Sequence, residues 1–356
     1  MPPATCVIYN PAAGRGKAEK FFNPPRPAPG VELRPTQHPG HAVDLARQAA
    51  AEGCAAIVAA GGDGTVHEVA NGILQSGNRD VTFTVWPLGS ANDYAYTLGM
   101  TGWWERLGKL MLRYARGRFR FPPGITVRVQ GRGRVPRLCP ILSPIDMSEL
   151  PEQWAEQLAT ETLEVDVGRV TGGGRERFFV GNFGVGFNGM VNAEARKTRW
   201  LSGLPLYAWA FLKAIVRHFA TPRMTVRFDD VETDGPTLAL SVLLAQREGN
   251  FPLRPAASLT DGLFDYMHAT RLRRWHLVRY LPAMATGRLP EDHPLIRLGR
   301  ARRIAVRSEA PLCVHADGEF FCLPADGVTE LVVEVVPGRL RVEVYPPAMY
   351  GRARRK

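Results

Sequence analysis

The sequence predicts a two-domain protein in which an α/β domain with a parallel sheet is followed by an antiparallel β-sandwich domain. Over residues 5–86, short apolar runs alternate with segments whose apolar residues recur at helical spacing, which is typical of a parallel sheet covered by helices. From residue 163 onward, short apolar runs follow one another between turn residues, which indicates antiparallel strands. The chain of 356 residues is long enough to form two separate cores.

The α/β domain is predicted from four apolar runs and two amphipathic segments. The expected strands cover residues 5–9, 31–36, 54–60 and 81–86, and the expected helices cover residues 40–52 and residue 66 onward. Ligands of open parallel sheets bind at the carboxyl ends of the strands. The loops that follow Tyr9, Ala60 and Trp86 are therefore expected at one edge of the sheet, where they can form one site.

Three glycines and an aspartate stand where the third strand passes into a helix, in the segment Gly61-Gly62-Asp63-Gly64. Glycine lets the main chain approach a ligand closely, and the N–H groups at the start of a helix attract phosphate oxygens. A carboxylate here would repel phosphate unless Mg²⁺ lies between them, so Asp63 indicates a metal–nucleotide complex. The alternative is a glycine-rich turn in which Asp63 only caps the helix.

A second carboxylate, Asp93, follows the strand at 81–86 and is expected at the same edge as Asp63. Two carboxylates near a phosphate site suit the coordination of Mg²⁺. The alternative is that Asn92 or Asp93 only caps the next helix.

The sandwich domain is predicted from a series of short strands interrupted by one helix. The strands cover residues 163–170, 178–183, 224–228, 237–244, 264–269, 304–306 and 312–315, the helix covers residues 204–219, and a final hairpin pairs 330–336 with 340–345. Three aspartates stand out in this half: Asp166 inside a strand, and Asp261 and Asp317 in turns. Taken singly, Asp166 is more often a structural residue, while Asp261 and Asp317 are explained equally well by a structural role and by a functional one.

The net charge of +11 favours anionic partners, namely nucleotides, nucleic acid or an acidic membrane surface. Nucleic-acid binding has no support beyond this charge and is not expected. The five cysteines are scattered without a CxxC pair, which indicates reduced thiols in a cytoplasmic protein.

Contact with a membrane is expected to be peripheral. The most apolar segment, residues 200–212, contains Gly203 and Pro205 and is well short of the roughly 20 residues of a membrane-spanning helix. Residues 105–116 carry one apolar and one basic stripe, so they form either a helix on an anionic membrane or an ordinary solvated surface helix. The Pro- and Arg-rich segment that follows is interpreted as a linker or insertion.

In this order, the motifs resemble those of the bacterial diacylglycerol kinase and sphingosine kinase superfamily of soluble lipid kinases. Asn10-Pro11-Ala12-Ala13-Gly14 resembles its NPxxG loop, Gly61-Gly62-Asp63-Gly64-Thr65 with Glu68, Asn71 and Gly72 resembles GGDGTxxEVxNG, and Gly89-Ser90-Ala91-Asn92-Asp93 resembles the GTxND element. Later elements of the family match around Asp166, Phe179, Asp261 and Asp317. The GGDGT motif alone is shared with NAD kinases and phosphofructokinases, so the specificity comes from the ordered set.

The resemblance implies an NAD kinase- or phosphofructokinase-like α/β domain, a β-sandwich, and a cleft between them that binds ATP. The implied domains are residues 1–121 with about 330–356 for the nucleotide, a linker or insertion at 122–162, and residues 163–329 for the lipid. The implied activity is transfer of the γ-phosphoryl group of ATP to a lipid hydroxyl, with diacylglycerol the expected acceptor. The implied partner is a lipid substrate at an anionic membrane surface, and a homodimer is left open.

Residue roles are carried over from the family by position. Asp317 would take the proton from the lipid hydroxyl. The nucleotide would be bound by Asn10, Pro11, Ala12, Ala13, Gly14, Thr36, Gly61, Gly62, Asp63, Gly64, Thr65, Val66, His67 and Ser90. The catalytic Mg²⁺ would lie near Asp63, Asp93 and Asp166, and a second, structural Mg²⁺ would be held at Ser258, Asp261 and Leu263.

The chain departs from the family pattern chiefly on the acceptor side. Asn188 replaces a frequent Asp, residues 246–251 lack the usual Gly-Gly pair, and residues 100–164 are longer than usual. Alternative functions are therefore kept: a kinase of another lipid alcohol such as a sphingoid base or phosphatidylglycerol, a non-catalytic protein that binds nucleotide or lipid, and an NAD kinase.

Overall fold

The protein is represented by a computed structural model that describes residues 5–22, 30–102, 160–198, 200–201, 204–291 and 293–345. It divides into two compact units, of which unit 1 comprises residues 1–163 and 341–356 and unit 2 comprises residues 164–340. The basic helix predicted at 105–116 and nearly all of the linker predicted at 122–162 lie outside the described residues.

Unit 1 contains the predicted parallel sheet, with helices between its strands. Its elements are β1 (Thr5–Tyr9), α1 (Ala13–Phe22), β2 (Val31–Pro35), α2 (His41–Ala51), β3 (Ala56–Gly61), α3 (Asp63–Ser76), β4 (Thr82–Pro87) and α4 (Asp93–Thr97). The strand order is β2-β1-β3-β4, and each of these neighbours is parallel. The predicted fold of this half is confirmed, with the boundaries of the predicted elements shifted by at most three residues, while α1 was not predicted.

The two central helices of unit 1 pack unusually closely because of one glycine. A Cβ atom on Gly72 of α3 would lie 2.3 Å from the main-chain oxygen of Val43 in α2, so only glycine is accommodated there. Glu68, one turn earlier in α3, accepts the N–H groups of Gly40 and Ala42 at 2.9 and 3.1 Å and so caps the start of α2. Both residues of the signature therefore fix α2 against α3.

Unit 2 contains the predicted antiparallel sandwich. Its elements are β5 (Glu161–Gly172), β6 (Arg175–Phe179), β7 (Asn182–Gly186), α5 (Phe187–Lys197), α6 (Leu204–Arg217), β8 (Arg223–Phe228), β9 (Val231–Leu243), β10 (Phe264–Thr270), α7 (Arg274–Thr286), β11 (Ile296–Ala301), β12 (Arg303–Ser308), β13 (Val314–Ala316), β14 (Glu319–Cys322) and β15 (Glu330–Val344). The long strand β9 belongs to both layers: its first half pairs with β8, and its second half pairs with β7 and β10. Gly235 and Pro236 mark the change, with Gly235 at φ 151°.

The hairpin predicted around Pro337 and Gly338 is wrong. The structure has one continuous strand, β15, whose first part pairs antiparallel with β12 and whose last part pairs parallel with β4. Gly338 has a φ of 55°, but the strand continues through it without reversing. Its N–H donates to Asp166 Oδ1 at 2.9 Å, so a buried carboxylate holds the main chain at this position.

Other differences concern short elements with weak periodicity. The strand predicted at 178–183 is divided into β6 and β7, and helices α5 and α7 and strands β11 and β14 were not predicted.

Cys6, Cys54, Cys313 and Cys322 are buried free thiols, as expected, while Cys139 lies outside the described residues. Burial raises the pKa of the Cys6 thiol to about 12, which makes it unreactive. None of the helices in the described ranges is long and apolar enough to cross a membrane.

A buried carboxylate joins α5 to α6. The Glu194 side chain is only 1% exposed, and its Oε1 atom accepts hydrogen bonds from Lys197 Nζ at 2.9 Å and His218 Nε2 at 3.0 Å. Lys213 and Arg217 place their cationic groups 3.8 and 3.9 Å from Oε2. Hydrogen bonds from Lys197 and then His218 lower the pKa of Glu194 from 4.5 to about 2.

We expect Glu194→Gln to lower the free energy of unfolding at pH 7 by about 2–3 kcal/mol, because it removes a buried charge from its partners. The pKa of Glu194 is lower in the folded state, so its contribution is complete above pH 4.5 and is lost as the pH falls toward 2. Urea denaturation at several pH values measures this. The control is Glu330→Gln, whose carboxylate is 61% exposed beside Arg307 and should change stability by at most about 0.5 kcal/mol. An equal difference at pH 7 and pH 3 would contradict the assignment.

Candidate functional site

The loops after β3 and β4 touch each other through glycine main chains. A Cβ atom on Gly89 would lie 2.4 Å from the Cα atom of Gly62, so neither loop could approach the other if Gly89 were replaced. The N–H group of Leu88 donates to the carbonyl oxygen of Gly61 at 2.8 Å. The two motifs that sequence reasoning placed at one edge of the sheet are thus in direct contact.

Asp63 is the residue that holds these two loops together. Its Oδ2 atom accepts the N–H group of Asn92 and its Oδ1 atom accepts that of Asp93, both at 2.8 Å. Asn92 has a left-handed φ of 53°. Its Oδ1 atom accepts the N–H group of Gly89 at 2.9 Å, and its side-chain amide donates to the carbonyl oxygen of Gly89 at 3.0 Å. The alternative that Asp63 caps α3 is wrong, because Gly62 is the N-cap and Asp63 is the first residue of the helix, with its carboxylate bound to the neighbouring loop.

The loop after β1 lies beside the same strands. Asn10 Oδ1 accepts the N–H group of Ala12 at 2.9 Å, and the Asn10 N–H group donates to the carbonyl of Ala60 at 3.2 Å. Gly14, at φ 61°, lies in the first turn of α1. Thr36 follows β2 and donates its N–H group to the carbonyl oxygen of Tyr9 at 2.9 Å. The first four strands of unit 1 therefore bring the predicted nucleotide residues to one edge of its sheet.

Not every residue predicted for the nucleotide presents its side chain there. Val66 and His67 are 3% and 4% exposed and point into the protein, so only their main chains can take part in binding. Ser90 is exposed, and Asp63 and Thr36 are partly exposed. Asp93 is buried, 5% exposed, at the start of α4.

In unit 2, Asp317 forms the turn between β13 and β14. Asp317 and Gly318 both have positive φ, 51° and 82°, which is the geometry of a two-residue type I′ hairpin. The carboxylate accepts three main-chain N–H groups: Oδ2 accepts that of Val180 at 2.9 Å, and Oδ1 accepts those of Gly181 and Asn182 at 2.7 and 3.0 Å. These bonds explain why β6 and β7 are separate strands, and they fix the direction of the carboxylate.

Sequence reasoning missed a polar network next to this turn. The Glu248 Oε1 atom lies 3.1 Å from His315 Nε2 and accepts the side-chain amide of Asn188 at 3.0 Å, and that amide also reaches Ser241 at 2.6 Å. Glu248 Oε2 is buried and has no hydrogen-bond partner among the described residues.

Two contacts join this network to the Asp317 turn. His315 Nδ1 accepts the N–H of Gly318 at 3.4 Å, and the Asn182 side chain donates to the carbonyl of Arg247 at 3.4 Å. Gly184 leaves room for the imidazole, since a Cβ there would lie 2.3 Å from His315 Nε2. The alternation of side chains along β13 could have indicated part of this network, because residues two positions apart, such as His315 and Asp317, point to the same face of a strand. Glu248 has no such periodic signal.

The other predicted metal ligands of unit 2 already have protein partners. Asp166 is 2% exposed and accepts the N–H groups of Gly262 at 2.7 Å and Gly338 at 2.9 Å. The Asp261 carboxylate accepts the Leu263 N–H at 3.2 Å and forms an ion pair with Arg300. Ser258 Oγ accepts the N–H of Thr260 at 3.3 Å.

Comparison with known proteins matches two successive parts of the chain. Residues 4–120 match the diacylglycerol kinase catalytic domain, and residues 181–344 match the YegS C-terminal NAD kinase beta sandwich-like domain. A diacylglycerol kinase of Bacillus subtilis strain 168 is 24% identical over 320 residues, which are 88% of this chain and 89% of that protein. A diacylglycerol kinase of Mycobacterium tuberculosis strain H37Rv is 27% identical over 304 residues, 84% of this chain and 79% of that protein.

A solved structure has the same fold. The crystal structure of a diacylglycerol kinase from Bacillus anthracis strain Sterne superposes with a TM-score of 0.62 at 17% identity and covers 97% of this chain and 98% of that one. At this identity the likeness is one of fold. Because the two domain matches follow each other in order along one chain and together cover most of it, the chain belongs to the diacylglycerol kinase and YegS-like lipid kinase family and is a phosphotransferase with an alcohol group as acceptor.

Proposed function

We propose that this protein transfers the γ-phosphoryl group of ATP to the hydroxyl group of a lipid at an anionic membrane surface, with diacylglycerol as the acceptor and phosphatidic acid as the product. The observation that carries the proposal is the hydrogen bonding of Asp63 to Asn92 and Asp93, which assembles a glycine-lined phosphate loop at the start of a 14-residue helix. The relatives named as diacylglycerol kinases support the choice of acceptor.

Unit 1 is proposed to bind ATP. The N–H groups at the start of α3 would face the phosphate chain, as at other helix N-termini that bind phosphate. The absence of side chains at Gly61, Gly62 and Gly64 lets the phosphates approach the main chain. The exposed Ser90 hydroxyl and the Asn10 to Gly14 loop, at the same edge, would contact the remainder of the nucleotide.

Unit 2 is proposed to supply the base. The lipid oxygen attacks the γ-phosphorus, the bond to the β,γ-bridging oxygen breaks, and the hydroxyl proton passes to the Asp317 carboxylate as ADP leaves. A lipid alcohol does not ionise at neutral pH, so a fixed carboxylate within hydrogen-bond reach assists the step as the proton departs. The three N–H groups that bind Asp317 keep its carboxylate in one orientation.

Magnesium is proposed as part of the nucleotide substrate, not as a resident ion of the protein. Within the described ranges, no three His, Cys, Asp or Glu side chains are grouped so that they could hold a metal. Asp63 and Asp93 remain the proposed neighbours of the magnesium that ATP brings. We propose that the second site, at Ser258, Asp261 and Leu263, takes no divalent cation, since the Asp261 carboxylate is already paired with the guanidinium of Arg300.

A kinase assay with labelled ATP and a lipid panel tests the function, and we expect lipid-dependent transfer to diacylglycerol. Asp317→Asn should lower kcat about 10²–10⁴-fold, because the proton acceptor is lost. The matched control is Asp229→Asn: Asp229 also has a positive φ, 48°, and its carboxylate also accepts main-chain N–H groups, those of Arg302 and Arg303. Both variants should lose about 1–3 kcal/mol of stability, and only Asp317→Asn should lose activity.

The other functions give distinct results in the same assay. Transfer to a sphingoid base or to phosphatidylglycerol in place of diacylglycerol would identify a kinase of another lipid alcohol. Phosphorylation of NAD would identify an NAD kinase and contradict the proposal. Tight ATP binding without transfer to any acceptor would identify a non-catalytic nucleotide-binding protein. Equal activity of the Asp317→Asn and Asp229→Asn variants would remove Asp317 from the chemistry.

Removal of divalent metal should leave the thermal stability of the nucleotide-free protein unchanged. A structural Mg²⁺ present at 100 times its Kd would add about 2.7 kcal/mol, so its removal would lower the Tm by several degrees. We expect equal Tm values in EDTA and in MgCl₂ because Arg300 balances the charge of Asp261. In Arg300→Gln the carboxylate is freed, so MgCl₂ should raise the Tm, while Arg307→Gln, which removes an exposed pair with Glu330, should show no response. A Tm drop of the unmodified protein in EDTA would contradict this.

A further inference from the structure

One face of unit 2 collects most of the exposed large apolar side chains of the described residues. Of eight such side chains, six lie on α6, on α7 or just before α6, namely Trp200, Trp209, Leu212, Val216, Trp275 and Val278. The other two, Val231 and Leu323, stand singly elsewhere. We call the six the indole face. Single exposed apolar residues are ordinary on protein surfaces, whereas a cluster of this kind marks an interaction site.

The spacing along α6 shows that the exposure follows the helix. Trp209, Leu212 and Val216 fall at i, i+3 and i+7, on one side of the helix. Phe211, Ala214 and Ile215 lie on the opposite side and are buried in the core cluster of unit 2. The helix is therefore apolar on both sides, and only one of them is covered by the protein.

Helices α6 and α7 carry parts of the same face. Leu272 and Leu277, at the start of α7, are buried in the same core cluster as α6, so both helices cover this core and turn their other sides outward. The Arg274 guanidinium lies 5.5 Å from the ring of Phe219, just after α6, which joins the two helices at these ends. Trp200 packs on Trp209 with ring centroids 6.2 Å apart.

The two segments that carry the indole face are basic in sequence. Residues 195–228 contain seven Lys or Arg and no Asp or Glu, and residues 266–290 contain five Lys or Arg and no Asp or Glu. The nearest preceding acid, Glu194, is buried beneath Lys197 and Lys213. Arg217, Arg273, Arg274 and Arg279 are exposed. The exposed tryptophans thus stand in two segments whose Lys and Arg residues have no Asp or Glu between them.

We propose that the indole face docks the protein on an anionic lipid bilayer. Tryptophan prefers the boundary between lipid headgroups and acyl chains, and each nearby Lys or Arg adds attraction to anionic lipid. A second copy of the chain is a poorer occupant, because a twofold contact would bring two positive faces together, and the cores of subunit interfaces are depleted of charge. This inference deepens the proposed function, since it names the surface that would bring the protein to its lipid substrate.

Binding to vesicles tests the proposal without any need for catalysis. The full-length protein, without ATP, is sedimented with vesicles of phosphatidylcholine alone and with vesicles that also contain phosphatidylglycerol. We expect binding to the anionic vesicles, a blue shift of tryptophan emission, and release in high salt. The double variant Trp209→Ser/Trp275→Ser should bind about tenfold or more weakly. The matched control Val231→Ser/Leu323→Ser removes exposed apolar side chains from other places and should bind like the unmodified protein.

The outcomes separate this proposal from the proposed function. If the protein binds anionic vesicles through Trp209 and Trp275 but phosphorylates no lipid, docking stands and the proposed activity fails. If it phosphorylates a dispersed short-chain diacylglycerol but both double variants bind vesicles equally, the proposed activity stands and the indole face is not the docking surface. A homodimer that dissociates in the tryptophan variant, measured by analytical ultracentrifugation, would also overturn it. Equal melting temperatures of the two double variants confirm that both are folded.

Discussion

The carboxylate of Asp63 accepts the N–H groups of Asn92 and Asp93, and the same kind of bond recurs at two other aspartates that the sequence singled out. Asp317 accepts three N–H groups from residues 180–182, and Asp166 accepts those of Gly262 and Gly338. In each case an aspartate from one segment satisfies main-chain donors of a segment distant in sequence. Turns have no ladder partners for these donors, so the loops of both units depend on such carboxylates.

The hydrogen bonds from main-chain N–H groups give the family motifs of this chain a structural role beside a functional one. A carboxylate that accepts two or three N–H groups is held in one orientation, so the same bonds that close a loop also position its oxygens for a ligand. Glu68 and Gly72 belong to the same signature as Asp63 and contribute only to the packing of α2 on α3. The motif therefore combines the loop that we propose to bind phosphate with the packing that holds the following helix in place.

The parallel sheet, the sandwich and the positions of the strand-end loops could be predicted from the sequence, because periodicity and glycine placement act locally. The hairpin at Pro337 failed because a distant carboxylate, Asp166, determines the backbone there. The network of Glu248 and His315 was missed for the same reason, since its members come from separate segments with no shared period. The ion pair of Arg300 with Asp261 could not be foreseen either, because it joins residues 39 positions apart.

Glu194 links the stability of unit 2 to its surface charge. Lys197, Lys213 and Arg217 are close enough to repel one another, and the buried carboxylate between them offsets that repulsion while leaving their outer surfaces positive. Without Glu194 these cations of α5 and α6 would repel one another without compensation. If the charge of Glu194 were exposed, it would weaken the attraction to anionic lipid that we propose. Burial of this one acid therefore lets these cations stand beside the exposed tryptophans on a folded helix pair.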